Sequence, residues 1–497
     1  MKKKIIGFAV NNHKKELLKK LEKTGEFEVH YFCLKHLDYL DLKNEWIDES
    51  KLYSYPLLRK NYSDIKEIPQ LAEKIIENEE KYGIRPANRL ISYNYQRSML
   101  PDFKEKDLYQ TILFEQETLS KLIEEIDPDA VLGELSRSYY IIAYDICKHL
   151  KVQYFNPLEI RASYYGEPLY ALYNDEGKKL RFNSLFKEFQ SNKATPSEKA
   201  SNFAEEFESR IFNKAKFNSK KLRNFESGFN KFIKKTGQRL KRLKAYKDSF
   251  NLDRKYFAEK LTFKNQFYSV FKTFVIDEIK TPIVYRYKSK FYTSKLDLDK
   301  MKYVYFPLHF YPELVSSVWS NKFINYHDQE LHLIQSIAKN LPTGYKLLVK
   351  EHMPMVNNRK TSIYKKINSL YNTVLLSPAF DNFKLIEKSD CVITICSTTG
   401  FEAFLKDKPV LTYHGAFYQD IPSIKKIDMN QELHDQILNA INSFKIDEKA
   451  KLDALCAFYD SSCTFEYDSD SVNEFDVSYN DKSVGKISEY LKSFLSD

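Results

Sequence analysis

Three short clusters between Met301 and Pro422 carry most of the chemistry legible in this 497-residue chain. Cys396-Ser397-Thr398-Thr399-Gly400 sets small hydroxyl residues just ahead of the helical pattern FEAFL. At a helix N-terminus, open backbone N–H groups, added O–H donors and the helix dipole suit a phosphate. The same residues would also serve as a plain N-cap through Ser397 or Thr398. Glu402, one turn inside, fits a ribose hydroxyl or simply the dipole. Lys350-Glu351-His352 closes the apolar run KLLV. It offers a cation, a carboxylate and an imidazole to one ligand, with His352 able to donate to a phosphate oxygen or protonate a leaving phosphate. His309 and Glu313 flank the end of VYFPL, in a stretch that reads equally as a loop anchored by its aromatics. Far upstream, Glu134 follows Gly133 and is the candidate general base for an acceptor hydroxyl. The alternative is that Glu134 or Arg137 caps the following helix. Glu159 and Arg161 are further candidates of the same kind.

The elements that must hold these residues alternate. Lys4 to Val10, Glu28 to Phe32, Ala130 to Leu132 and Val152 to Pro157 read as strands, separated by helical patterns near 13–25, 108–126 and 139–150. Residues 38–97 are charged and irregular, with several helical stretches. Alternation stops at about Asn174 and resumes at Lys302. Strands are then expected near 302–308, 346–350, 374–376, 391–395 and 409–413, with helices at 328–340, 361–370 and 382–388. Strand ends in open α/β sheets are where ligands bind. The expected fold class is α/β, with two Rossmann-like domains facing a cleft, similar to the GT-B architecture, and a helical, basic insert between them. The divisions fall at 1–173, 174–299, 300–430 and a helical tail, 431–497.

Composition bounds the function. The length suggests roughly 2–4 domains, and 43% hydrophobic with 29% charged residues is that of a soluble globular chain. The net charge of +10 sits in one place: Lys214 to Lys247 holds thirteen Lys or Arg against the single acid Glu226. There, Phe229, Phe232, Ile233, Thr236, Leu240 and Leu243 share a helical face opposite the cations. This suits an inner-membrane surface, or a solvated helix packed on its own domain. No recognised nucleic-acid module accompanies the charge, so nucleic acid is not expected as a partner. Six cysteines without paired CxxC spacing read as reduced thiols of a cytoplasmic protein. MKKKIIGFAV reads as a first strand rather than a signal peptide. No run reaches the ~18 apolar residues of a membrane-spanning helix. The expected location is cytoplasmic, with peripheral attachment to the membrane through 214–247 as an option.

With these residues in hand, the second half resembles the capsule polysaccharide biosynthesis family, which includes bacterial Kdo transferases. The matching pieces are FPLHFYPE, LPTGYKLLVKEHMP and SDCVITICSTTGFEAFLKDKPVLTYHGAFY, over 301–422. The resemblance implies a metal-independent GT-B glycosyltransferase that moves a sugar from a CMP-activated, Kdo-like donor to a surface or lipid-linked glycan. No cofactor is implied beyond that nucleotide-sugar substrate, and no DxD-type metal site stands out. It also implies that a His-Pro pair and a Ser/Thr cluster hold the nucleotide phosphate. Here the pair is interrupted as His352-Met353-Pro354, which leaves the donor sugar open. Asp175-Glu176-Gly177 fits the letters of an acidic-acidic-Gly motif of related sialyltransferases, but LYNDEGKKL reads as a hairpin turn.

The site expected on both grounds is Glu134 and His352 for catalysis. His309, Glu313, Lys350, Glu351, Ser397, Thr398, Thr399, Gly400 and Glu402 would bind the nucleotide. A nucleotide-sugar epimerase, a polyol-phosphate transferase, or a non-catalytic component binding glycan or lipid are the competing readings.

Overall fold

Apolar runs bounded by charge form the strands. KKIIGFA, FEVHYFC and AVL are buried along nearly their whole length, the pattern of parallel strands covered on both faces. The computed structural model describes residues 2–9, 12–45, 47–91, 105–135, 137–160, 169–173, 181–207, 281–309, 326–356, 359–413, 416, 418–419, 421–445, 447–464 and 481–495. They divide into two units. The first holds the described residues up to Tyr173 and from Ser462 onward, the second those from Arg181 to Ser461.

The first unit has strands β1 (Lys3–Ala9), β2 (Phe27–Cys33), β3 (Leu52–Ser54), β4 (Ala130–Leu132), β5 (Gln153–Ile160) and β6 (Leu169–Tyr173). In the second unit are β7 (Lys302–Pro307), β8 (Tyr345–Lys350), β9 (Thr373–Leu376), β10 (Cys391–Thr394), β11 (Val410–Thr412) and β12 (Ile424–Lys426). The short β13 (Cys463–Thr464) returns to the first.

In the first sheet the order is β13-β6-β5-β4-β1-β2-β3. β1 to β5 are parallel, while β6 and β13 add on antiparallel. The chain lays β2 and β3 on one side of β1, then crosses back to place β4 on the other. The reversal between β1 and β4 is where a doubly wound sheet opens a ligand crevice. Gly133 ends β4 there because nothing larger fits: a Cβ would stand 2.4 Å from the Tyr154 hydroxyl and 2.9 Å from Phe8. The helix Asn12–Lys23 packs over Gly7, where a Cβ would run into Leu18.

The second sheet is parallel throughout, in the order β12-β11-β10-β7-β8-β9. β7 is its first strand in the chain and lies inside, so the reversal falls between β7 and β10. Helices Asn382–Lys388 and Thr398–Leu405 cover one face, and Tyr326–Asn340, Thr361–Asn368 and Leu433–Ser443 the other. Tyr303 and Tyr305 point to the first face, where their hydroxyls donate to Leu385 O (2.8 Å) and Asn382 Oδ1 (2.5 Å).

The α/β class with two Rossmann-like units stands. Strand and helix boundaries fall within a few residues of expectation, while β3, β6, β12 and β13 were not anticipated. Two stretches attach differently from the expected divisions. The helix Phe182–Gln190 packs against Glu448–Asp460 in the second unit. The final helix, Asp481–Leu495, packs against Asn12–Lys23 in the first, with Ser488 and Lys492 on Glu26 and Phe494 against Phe155. The basic segment 214–247, Arg161, Asp175 to Gly177, Glu313 and the Glu159 side chain lie outside the described residues.

Candidate functional site

The β10 end is built around its cap. Ser397 is the N-cap of Thr398–Leu405, its Oγ accepting from Thr399 N at 3.2 Å. Gly400 N donates to Ser397 O at 3.0 Å, and Ser397 N donates to Thr394 Oγ1 at 3.1 Å. Plain capping is therefore real. It leaves the exposed Thr398, with its N–H and hydroxyl, as the open donor of this turn among the described residues. Tyr418 clamps the turn from behind by donating to Ser397 O. That approach requires a glycine at position 400, where a Cβ would lie 2.3 Å from the Tyr418 hydroxyl.

At the β8 end, consecutive residues project to opposite faces. Lys350 pairs in register with Pro307, two steps beyond the Leu348–Tyr305 pair, and so lies on the Tyr305 face. It is half-buried, and its ammonium forms no hydrogen bond or close ion pair among the described residues. Burial pushes its ammonium below the ordinary lysine value, opposed by the carboxylates of Glu402, Asp381 and Glu351. Glu402 accepts from Asn382 Nδ2 at 3.0 Å, and Asp381 caps the helix Asn382–Lys388.

Glu351 turns the other way and is fully buried. Its Oε2 accepts from Arg359 Nε (2.7 Å) and the Tyr364 hydroxyl (2.6 Å), and its Oε1 from His352 N (2.6 Å). Lys350 and Glu351 therefore do not converge on one ligand. Glu351 instead fixes the backbone of the partly exposed His352, which starts the turn Met353–Met355.

At the β7 end, His309 is buried, with Nδ1 3.2 Å from Glu330 Oε1 and Nε2 3.3 Å from Thr394 Oγ1. The latter contact spans the reversal between β7 and β10. Arg359, 1% exposed, reaches Glu330 Oε2 at 2.5 Å and His309 O at 2.9 Å besides Glu351. Sequence reasoning missed Arg359, Glu330 and Tyr364. NNRKTS reads as a surface loop and hides Arg359. Glu330 left a signal, an acid at i on the stripe of Ile334 and Ile337, which are fully buried. His309, Glu351, His352 and Ser397 are thus brought into one bonded assembly, while Lys350 lies on the opposite face, where Glu402 acts on it only through its charge.

In the first unit, Glu134 stands where expected, past Gly133 at the reversal, with its carboxylate paired to Lys14. Its carbonyl accepts from the Tyr154 hydroxyl at 2.8 Å. Missed here is Glu115 on the helix Glu105–Ile126. It is buried, accepts from Tyr55 (2.9 Å) and Ser138 (2.5 Å), and burial pushes its carboxyl up to about 7. Among the described residues no group of three or more His, Cys, Asp or Glu could hold a metal ion. No helix among them is long and apolar enough to cross a membrane.

Residues 278–440, about a third of the chain, match the family of capsule polysaccharide biosynthesis proteins. No curated protein sequence matches. Among solved structures, the chain is similar to the KpsC β-Kdo 2,4-transferase of Thermosulfurimonas dismutans, with 11% identity over 66% of this chain and 79% of that one (TM-score 0.34). The same organism's KpsC β-Kdo 2,7-transferase shows 15% identity over 43% and 62% of the two chains (TM-score 0.24). The UDP-GlcNAc 2-epimerase of Neisseria meningitidis shows 11% identity over 92% and 99% (TM-score 0.24).

Proposed function

With residues 278–440 as a capsule polysaccharide biosynthesis module, we propose that the protein is a glycosyltransferase. It would move a sugar from a nucleotide donor, CMP-activated and Kdo-like, to a capsular or lipid-linked glycan. The observation that carries this is the coincidence of the family match with the strand ends of the second sheet, where Thr398 after β10 and Lys350 at the end of β8 offer donors to an anion. In this reading Thr398 and the dipole of its helix hold one phosphate. Lys350 adds charge, and the His352 imidazole protonates or steadies the departing phosphate. Ser397, Thr399 and Gly400 shape the turn, while His309 and Glu351 support it from behind. Glu402 is the side chain offered to the nucleoside. In the first unit Glu134 would take the acceptor's proton after release from Lys14. The segment 214–247 would attach the enzyme to an anionic membrane surface.

The test is transfer with CMP-, UDP- and GDP-sugars in the presence of a glycan acceptor. Acceptor-dependent product, lost in His352→Ala, is the expected result. A changed nucleotide-sugar formed without acceptor would mean an epimerase. No nucleotide binding by calorimetry would sink the reading. Deleting 214–247 should abolish vesicle binding while sparing turnover of a soluble acceptor.

A further inference from the structure

Behind the three strand ends, the described residues include four buried ionic groups. Arg359 and Lys288 carry positive charge, and Glu330 and Glu351 negative charge. Lys288 donates to Val356 O at 2.5 Å and to Arg359 O at 2.7 Å, so it belongs to the same cluster. For a neutral imidazole, the chemistry of its partners sets the direction of each link.

Ser397 N–H can only donate, so it takes a lone pair of Thr394 Oγ1. The Glu330 carboxylate can only accept, so the proton of His309 sits on Nδ1, facing it. Nε2 is then an acceptor, and the Thr394 hydroxyl must donate to it. The links run one way: Ser397 N–H to Thr394, Thr394 O–H to His309, His309 Nδ1–H to Glu330. His309 is also held by its backbone, N–H to Glu330 Oε1 at 2.8 Å and carbonyl from Arg359 Nη2.

We propose that Arg359 is a positioning residue of the nucleotide site, acting through this directed relay to set the Ser397–Gly400 turn. The proposal rests on the nucleotide reading given above. One guanidinium fork bonds at once to the helix Tyr326–Asn340 (Glu330), the β7 end (His309 O) and the β8 end (Glu351). A lysine ammonium is a point charge on a flexible stem and cannot span all three. Glu330 held in this way selects the His309 tautomer, and the tautomer dictates which way the Thr394 hydroxyl turns. That orientation decides whether Ser397 N–H is satisfied and the cap sits with Thr398 facing outward.

The test uses the full chain labelled with 15N-histidine, with His309→Gln to assign its signals. Binding of CMP, UDP and GDP is followed by calorimetry. In the wild type, the proton should be on Nδ1, with Nε2 an unprotonated acceptor. Thr394→Val, which leaves the ion cluster whole, should weaken the nucleotide that the wild type binds by about tenfold. Thr394→Ser should restore it. Arg359→Lys should average the two His309 nitrogen signals and weaken binding at least as much; should it fail to fold, Thr394→Val carries the test. A His309 proton on Nε2, or unchanged binding in Thr394→Val, overturns the relay. A wild type that binds none of the three nucleotides refutes the nucleotide reading instead, and the tautomer still decides the relay.

Discussion

A lysine held partly out of water without a hydrogen-bonding partner is stabilised by any anion that reaches it, and Lys350 is so placed among the described residues. Nucleotide binding should draw a proton onto it in the window between its lowered value and the ordinary lysine value. Affinity should therefore fall as pH rises through that lowered value, and Lys350→Met should remove this dependence along with about tenfold of the affinity. Titrating a bound nucleotide by calorimetry at several pH values checks both. Glu115 gives the same sign, on stability rather than affinity. Its folded value is raised from 4.5 to about 7, so the folded state binds more protons between those values and stability falls as pH rises across them. Glu115→Gln should flatten the decline by about 3 kcal/mol, read as the difference in urea unfolding between variant and wild type at pH 4.5 and 7. Residue type at strand ends was legible: Lys350 closes β8, and Ser397, His352 and Glu134 follow their strands closely. Partners were not, because Arg359 is eight positions past Glu351 and nothing local announces that the chain folds back to meet it.

At the scale of elements, the strands were readable wherever an apolar run was covered on both faces, as in β7, β8 and β10. β12 (IKK) was not, because two of its three residues are exposed cations at an edge. β13, two residues long, is made only by its antiparallel neighbour. The alternation of strand side chains also carries a lesson missed in the linear sequence: Lys350 and Glu351 are adjacent in the chain and serve opposite faces. The turn that begins Thr398–Leu405 depends on close approach from Tyr418. Gly400→Ala should cost about 1–3 kcal/mol through that overlap, and weaken nucleotide binding as the cap shifts. Chemical denaturation with a binding isotherm on the same sample separates the two effects.

For the whole molecule, the count of two α/β units came from periodicity alone, since a strand–helix alternation that stops and restarts implies two sheets. Where the joining and terminal segments pack could not be read. The faces of Phe182–Gln190 and Asp481–Leu495 are amphipathic and name no partner. Leu491, fully buried on the final helix, is expected to matter to the first unit only. Leu491→Ala should cost about 2–5 kcal/mol, and hydrogen exchange should rise around β1, β2 and the helix Asn12–Lys23 while the second sheet keeps its protection.

The packing of Asp481–Leu495 against a helix near the opposite end of the chain has a bearing on biogenesis. Domains generally fold in the order in which they leave the ribosome. Here the β7–β12 sheet has all its strands by Lys426. The sheet that is translated first waits for its last helix until the nascent chain has passed residue 480. The second unit can thus mature before the first, and the earlier half spends most of synthesis with an uncovered flank that a chaperone would have to shield.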